Sequence, residues 1–317
     1  MEKFNIKKIS EIDSLLLKEF YSNTFNYEKN IADNYMWKYR NGYNNCEPIA
    51  LIINNKICGH AGLIPTDLKL NGVKKKAIWF TDLYIEKKYR AMGFGKHLTS
   101  EWMKICPLKI TICNDKSLSL FKKLDWKYNN NFKRNIKILN FINLLPFFKS
   151  FKNSSNIIDT QDEYLNIYPV NNKILSEVIE ETNKISSKVI TGLIRDENWF
   201  KWRILDCPYV KDIFIFHYKK KYLIVHILKK NNLKRLNIIF STHDMGKDLL
   251  SLIVDWSKKN NIDYLAYVTG AGSAVKKELN FKKSVNFSFF SDNESEVNTI
   301  NNEFTDIQYV DSDLDFV

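Results

Sequence analysis

The alternation of hydrophobic and polar residues divides the first 137 residues into a regular series of elements. Apolar runs and period-two alternation predict strands, whereas apolar residues three and four positions apart predict helices. The predicted strands cover 4–9, 49–54, 56–63, 76–85 and 108–113, and the predicted helices cover 11–23, 28–40, 95–105 and 115–124. The pair Asn54-Asn55 between two of these strands is a hairpin signal. Strand pairs followed by strand–helix–strand–helix are typical of a mixed α/β domain.

The second half of the chain repeats features of the first at a constant offset. Trp102 and Trp256 stand in similar amphipathic patterns 154 positions apart (256 − 102), and the lysine pairs Lys122-Lys123 and Lys276-Lys277 keep the same spacing (276 − 122). Shared features in the same order at nearly constant spacing indicate an internal repeat rather than chance similarity.

Length and composition agree with two modules. The chain has 317 residues, of which 44% are hydrophobic, so it is long for one compact domain and sufficient for two cores. We therefore predict an α/β (α+β) protein with two mixed-sheet modules in tandem, covering 1–137 and 157–317, joined by a connection over 138–156.

Charge and cysteine content indicate which ligands and which cellular compartment to expect for the protein. The formal net charge of +12 suits phosphate-bearing partners, but Lys is frequent throughout and no focused basic run predicts nucleic-acid binding. The five cysteines are scattered without metal-like spacing, and no paired Cys/His set exists, so we expect reduced thiols and no metal. The first residues lack a signal-peptide core, and the apolar stretch 136–148 is too interrupted to span a bilayer. We expect a cytoplasmic protein without membrane association.

The segment 81–98 carries the most informative chemistry. It reads as a strand that ends in a turn with Gly93 and Gly95 and then opens a helix. Glycine lets the backbone approach a ligand closely, and the amides of the turn together with the positive helix N-terminus form an anion site. Arg90 and Lys96 add positive charge beside it. The segment therefore predicts binding of a diphosphate.

Two other known types of glycine-rich loop do not match this segment. A Rossmann loop needs a third glycine where this chain has Leu98, and a Walker A loop needs Ser or Thr where it has His97.

The residues Arg90-x-x-Gly93-x-Gly95 are similar to the R/Q-x-x-G-x-G/A loop of the GCN5-related N-acetyltransferase (GNAT) family. Downstream, the segment 114–126 resembles the family's second motif, an Asn followed by a helix and a Leu-Gly-Phe-like end. The resemblance covers residues 4–137 well and the second half weakly. It implies a tandem GNAT-fold arrangement with a degenerate second module.

The resemblance also implies an acetyl-coenzyme A site. Pantetheine would lie against the strand end, with Asn114 near it, and the pyrophosphate would lie against the loop. The implied residues are Leu83, Tyr84 and Ile85 for pantetheine, and Arg90, Ala91, Met92, Gly93, Phe94, Gly95 and Lys96 for the pyrophosphate. Because acyl transfer needs removal of a proton from the attacking amine, we predict Asp82 as the base. Ordering the strand or binding the acceptor ammonium are open alternatives for Asp82. The backbone amide of Ile85 would polarise the thioester carbonyl.

This sequence departs from the family pattern at several places. Phe121 stands where the family often has a Tyr that protonates the thiolate, and Tyr128 is a conceivable substitute. Asp125 stands where Gly is usual, a position that Asp tolerates. The second half has a single glycine, Gly246, where the loop would be, which predicts a module without a cofactor site. The segment 270–272 reads as a turn before a helix.

These features together predict an N-acetyltransferase that moves an acetyl group from acetyl-CoA to a primary amine of a small acceptor by direct attack. Tandem GNAT-like proteins resemble enzymes of surface-polysaccharide assembly, so an amino-sugar or sugar nucleotide is one expected acceptor. A non-catalytic acyl-CoA sensor and an aminoacyl or longer-chain acyltransferase stay open. The aromatic–basic clusters 36–40 and 199–203 suit helix packing or stacking on a ligand. His60 and His226 suit core or pocket positions, and the acidic tail 311–317 is frayed or reaches a pocket.

Overall fold

The computed structural model describes most of the chain in two connected halves. The described residues are 4–25, 31–40, 42–90, 92–140, 158–230, 233–270, 281–304, 306–308 and 311. Ala91, most of the predicted connection 138–156, the 271–272 part of the predicted turn and the tail after Asp311 lie outside them.

The described residues form a series of strands and helices that follows the sequence pattern. The strands are β1 Phe4–Lys8, β2 Ile49–Ile53, β3 Lys56–Leu70, β4 Val73–Ile85, β5 Lys109–Cys113, β6 Lys127–Asn129, β7 Lys133–Ile138, β8 Asn166–Pro169, β9 Gly192–Leu193, β10 Ile213–Tyr218, β11 Lys221–Lys230, β12 Leu233–Ser241, β13 Tyr264–Thr269, β14 Phe281–Ser284 and β15 Asn286–Phe290. The α-helices are α1 Ser14–Thr24, α2 Ile31–Lys38, α3 Phe94–Lys104, α4 Asp115–Lys123, α5 Asn172–Ser186, α6 Glu197–Phe200, α7 Lys247–Lys259 and α8 Glu294–Glu303. None of these helices is long and apolar enough to cross a membrane.

The first-half elements agree with the sequence pattern, with two differences in extent. The turn Asn54-Asn55 has positive φ at both residues, as a two-residue hairpin requires. β3 and β4 are longer than predicted because a second hairpin, with positive φ at Asn71 and Gly72, joins them directly. The predicted strand 76–85 therefore begins earlier, at Val73.

The two sheets have matching strand orders, which agrees with the predicted repeat. The first runs β1-β2-β3-β4-β5-β15-β6, and the second, read in the same direction, runs β8-β10-β11-β12-β13-β7-β14. In each order the fourth and fifth strands form the parallel pair, joined by a helix, α3 in one sheet and α7 in the other. Trp102 and Trp256, the residues that revealed the repeat, lie fully buried on these two helices.

The two halves contribute strands to each other's sheets. β7, from the first half, pairs with β13 in the second sheet, whereas β15 and the short β9, from the second half, pair with β5 and β3 in the first. The predicted boundary at residue 137 falls within β7. The division into domains stays a prediction, but the sheets share strands across it, and neither sheet is complete without both halves.

The first sheet is covered on both faces, and strand alternation assigns its side chains to them. Trp79 belongs to the core under α1 and α2, whereas its neighbour Phe80 packs with Trp102 under α3 and α4. A third core fills the second half around Phe216 and Trp256.

The aromatic–basic clusters 36–40 and 199–203 pack against each other at the junction of the halves. The indole Nε1 of Trp37 donates to the carbonyl of Trp202 at 2.7 Å, and the indole of Trp202 donates to the carbonyl of Trp37 at 2.8 Å. The Arg40 guanidinium lies 4.8 Å from the Trp202 ring, and that of Arg203 lies 5.4 Å from the Trp37 ring. In the structure these residues therefore pack against each other, which is the first of the two roles expected for them.

Candidate active site

A cleft opens in the first sheet where β4 and β5 diverge. The two strands pair only at Ile78–Lys109 and Trp79–Ile110, and the Thr111 hydroxyl then donates to the carbonyl of Phe80 at 2.7 Å. Beyond this point β4 is paired with β3 on one edge only. The cleft has a volume of about 250 Å³ and is lined by Phe25, Phe80, Thr81, Asp82, Leu83, Trp102, Thr111, Ile112, Cys113, Asn114, Ser117 and Phe121.

A bulge at Asp82 accompanies the divergence of β4. Between the pairs Gly62–Thr81 and His60–Tyr84, one residue of β3 faces two residues of β4. Asp82 has φ of +48°, a left-handed conformation that costs an ordinary residue about 1–2 kcal/mol and Asp less. The extra residue reverses the alternation of side chains, so that Asp82 points toward α2 although Phe80 points toward α3.

Two residues of the α2 region hold the Asp82 carboxylate. Lys38 Nζ lies 2.8 Å from Oδ2, and the Tyr39 hydroxyl donates to the same oxygen at 2.8 Å. The Lys38 and Asp82 side chains are only 4% and 3% exposed. Burial raises the pKa of Asp82, but the charge and hydrogen bond of Lys38 lower it more, so the net pKa lies below its usual value. A carboxylate in a buried ion pair accepts a proton poorly, which weighs against the base role and favours the alternative of strand ordering.

His60 holds the backbone of the bulge from the other side. Its Nδ1 lies 3.0 Å from the carbonyl oxygen of Asp82, which can only accept, so Nδ1 carries the proton. Nε2 therefore accepts from the hydroxyl of Tyr21 at 3.1 Å. His60 is fully buried, and burial, partly opposed by Asp82, lowers its pKa to about 4. The imidazole is thus neutral at physiological pH.

This depressed pKa predicts an acid-sensitive fold. Because the unfolded chain binds a proton on His60 near pH 6.5 and the folded chain does not, stability present above pH 6.5 is lost as the pH falls toward 4. We expect this group to remove about 1.4 kcal/mol per pH unit over that window. Urea unfolding of wild type and His60→Gln between pH 4.5 and 7.5 measures it. Equal pH slopes in the two proteins would contradict the assignment.

The glycine loop lies at the far end of β4, where α3 begins. Gly93 is the N-cap of α3 with φ of +86°, a conformation that favours glycine. No atom lies within 4 Å of a Cβ built at Gly93, and a Cβ at Gly95 would meet only Ile85 Cγ1 at 3.7 Å. The fold therefore leaves open space over both glycines, at the N-terminus of α3. This is the geometry that an anion site needs.

The other predicted cofactor residues lie in different places, at the loop, in the cleft or against the core. Arg90 is exposed, and its Nε donates to the carbonyl of Ile85 at 2.7 Å, which fastens the loop to the strand end. Leu83 is 37% exposed in the cleft, whereas the Tyr84 ring packs against Phe20 under α1. Lys96 lies in the first turn of α3, beside the loop.

The second motif supplies the opposite wall. The Oδ1 atom of Asn114 accepts from the backbone amide of Ser117 at 2.9 Å and caps α4, so the cap holds this side chain at the cleft. Phe121 lines the cleft, where it offers no proton donor. Tyr128 is 41% exposed, lies under the Lys122 ammonium, and is not among the lining residues. Asp125 has φ of +59°, the left-handed conformation expected where the family has glycine.

The corresponding region of the second sheet is built differently. Gly246 caps α7 with an ordinary φ of −69°. At the end of β12 the Gln308 carboxamide forms hydrogen bonds with both backbone groups of Ser241. It accepts from the Ser241 amide at 2.5 Å and donates to the Ser241 carbonyl at 3.0 Å. Arg195 anchors this segment through paired bonds to the buried Asp311. Gln308 thus occupies the end of β12, and the absence of a cofactor site in the second module stays a prediction.

Sequence reasoning missed the residues that hold Asp82. Tyr21, Lys38, Tyr39 and His60 come from α1, the α2 region and β3, and no local motif joins them. One signal existed in Gly62, because a Cβ there would lie 2.8 Å from the Tyr39 ring. A glycine inside a strand indicates such a close approach. Within the described residues, no three His, Cys, Asp or Glu side chains cluster as a metal site requires.

Comparison with known proteins gives the fold and the family of the first half. Residues 11–126 match the family model of the acetyltransferase (GNAT) family. Curated proteins give no match. Solved structures share the fold at low identity. Saccharomyces cerevisiae N-myristoyltransferase with bound myristoyl-CoA has a TM-score of 0.62 at 11% identity, covering 92% of this chain and 78% of that one.

Two bacterial structures extend the likeness. A GCN5-related N-acetyltransferase from Kribbella flavida has a TM-score of 0.57 at 8% identity, covering 91% of this chain and 71% of its own. A probable N-acyltransferase from Enterococcus faecalis has a TM-score of 0.57 at 10% identity, covering 96% and 75%. Together with the splayed strands and the glycine loop, these matches identify residues 11–126 as an acyltransferase domain of the GNAT family within a chain of two GNAT-like modules.

Proposed function

We propose that this protein transfers an acetyl group from acetyl-CoA to a primary amine of a small acceptor. The observation that carries the proposal is the cleft between β4 and β5, which is lined by Asp82 and Leu83, on the strand that ends shortly before the glycine loop. A pantetheine arm needs an extended slot next to an anion site, and the free edge of β4 and the glycine loop that follows it support that arrangement.

The loop and the start of α3 would hold the pyrophosphate. The open space over Gly93 and Gly95 leaves room for phosphate oxygens next to the helix amides. Lys96 adds a cation, and Arg90 keeps guanidinium N–H groups beyond the one that bonds Ile85. The positive charge and the open space at the loop support a diphosphate there.

The free edge of β4 would hold the pantetheine. Among the described strands, β4 has no neighbour on the β5 side beyond Trp79. Backbone groups of Leu83 to Ile85, other than the Ile85 carbonyl that accepts from Arg90, are therefore available to pair with an amide-bearing chain. Asn114 lies across the cleft and offers its amide group to the same arm. We infer that the backbone amide of Ile85 polarises the thioester carbonyl.

The transfer itself needs little from side chains. The amine nitrogen attacks the carbonyl carbon, the carbon–sulfur bond breaks, and the proton lost by nitrogen balances the one gained by the thiolate. Because Lys38 pairs with Asp82, we infer that Asp82 holds the strand and that water removes the amine proton. Phe121 cannot protonate sulfur, so we infer that the thiolate leaves unprotonated or takes its proton from water.

The proposed acceptor is a small molecule that presents a primary amine. An amino-sugar or sugar nucleotide is our first choice, on the strength of the tandem arrangement alone. Amino acids, polyamines and peptide amines belong to the same test because each presents a primary amine.

Calorimetric titration of acetyl-CoA into the purified protein tests the proposal. We expect one site per chain with micromolar affinity, followed by thiol release when an accepting amine from a panel is added. Absence of acetyl-CoA binding would contradict an acyltransferase role for the cleft.

A non-catalytic acyl-CoA sensor is the alternative that one observation favours. Phe121 lines the cleft where a proton donor would serve turnover. Tight acetyl-CoA binding without thiol release for any amine would support the sensor.

A further inference from the structure

We propose that Phe25 limits this cleft to short acyl chains, so that acetyl or a similarly small acyl group is the one transferred. This inference rests on the proposed function and assigns a specificity-determining residue to it. Phe25 follows α1, lines the cleft with Asp82, and is only 4% exposed.

The position of Phe25 decides what meets the acyl group. Trp102 and Phe121 line the cleft from the α3 and α4 face, whereas Phe25 belongs to the core on the opposite face. A pantetheine arm that follows β4 from the loop at Gly93 brings its thioester toward Asp82. The acyl group beyond the thioester then meets the Phe25 ring.

The Phe25 ring has little freedom to move aside. Its centroid lies 6.0 Å from Phe20, 6.2 Å from Tyr21, 5.7 Å from His60 and 6.1 Å from Tyr84. Two of these neighbours, Tyr21 and His60, are fully buried and are hydrogen-bonded to each other, and His60 also bonds to the bulge carbonyl. A close-packed aromatic wall of this kind resists displacement.

A longer chain would therefore have to displace a packed ring or leave its methylenes in water. A methylene that an apolar wall does not accommodate is discriminated by about tenfold or more. Yeast N-myristoyltransferase, which shares the fold, is known with bound myristoyl-CoA, so the fold itself accommodates a long chain. The restriction is thus a property of the aromatic residues in this chain.

Binding of CoA, acetyl-CoA, butyryl-CoA and octanoyl-CoA to the full chain tests the proposal. We compare wild type with Phe25→Ala and the milder Phe25→Leu. Phe132→Leu is the control, because Phe132 is a fully buried ring of the same core and is not among the lining residues of the cleft. We expect octanoyl-CoA to bind wild type at least about tenfold more weakly than acetyl-CoA. The Phe25 variants should recover octanoyl-CoA binding, Ala more than Leu, without tightening CoA itself.

The outcomes separate this inference from the proposed function. Octanoyl-CoA that binds wild type as tightly as acetyl-CoA would overturn the role of Phe25 and leave the acyltransferase proposal standing. The role would also be overturned if Phe132→Leu relaxed the preference as much as Phe25→Leu. Failure of CoA itself to bind would overturn the proposed function, and this inference with it.

Discussion

Replacement of Gly93 by Asp is expected to weaken acetyl-CoA binding by about a hundredfold or more. Gly93 caps α3, and the Asp side chain would extend into the open space where the pyrophosphate is proposed to lie. A carboxylate about 4 Å from a phosphate charge near a protein surface costs about 4 kcal/mol before screening by salt, which is sufficient for this loss. Calorimetric titration of wild type and variant measures the change.

Gly93→Asn is the matched control for charge. Asn has nearly the shape of Asp and accepts the left-handed conformation of this position, where φ is +86°. We expect the Asn variant to bind acetyl-CoA more weakly than wild type but well above the Asp variant. Equal loss in both variants would mean that bulk alone excludes the ligand, and unchanged binding in both would remove the cofactor from this loop.

The glycine loop was predictable because the residues that form it are close together in the sequence. Gly93 and Gly95 stand within one turn of each other, directly after a strand and before an amphipathic helix, and the structure has that order. Asn114 was predictable for the same reason, since its cap on α4 depends on Ser117, three residues away. Whether these residues bind a cofactor stays a prediction that the titration decides.

The support of Asp82 was not predictable because its parts are distant in sequence. Lys38 stands at the end of a helix, where a lysine is ordinarily solvated, and nothing local indicates that Asp82 lies opposite it. His60 reads as a core histidine, as we expected, but its bond to the Asp82 carbonyl depends on the bulge in β4. A bulge is a property of two paired strands, and one strand's pattern does not reveal it.

The exchange of strands between the two halves was not predictable from the sequence for a related reason. β7 and β15 occupy equivalent places in the two sheet orders, so their patterns suit either sheet equally well. Local alternation predicts that a segment is a strand, but partners are selected by the whole fold. The repeat was therefore visible in Trp102 and Trp256, whereas the pairing that joins the halves was not.

Replacement of Lys38 by Met is expected to destabilise the protein by about 3–5 kcal/mol, the largest effect we predict on stability. The ammonium of Lys38 is the positive partner of a carboxylate whose side chain is 3% exposed. Removing one member of a buried pair leaves the other as an uncompensated buried charge, and this penalty greatly exceeds the net value of the pair. Without Lys38, burial alone would raise the pKa of Asp82. Urea unfolding at pH 7 measures the loss.

Two further variants make the interpretation specific. Asp82→Asn added to Lys38→Met removes the stranded charge, so the double variant should recover much of the lost stability. Lys18→Met breaks the pair with Asp33, whose side chains are 51% and 68% exposed, and should cost at most about 1 kcal/mol. A similar small loss for Lys38→Met would mean that water reaches Asp82. The acceptor amine could then reach the Asp82 carboxylate, and this result would favour Asp82 as the base.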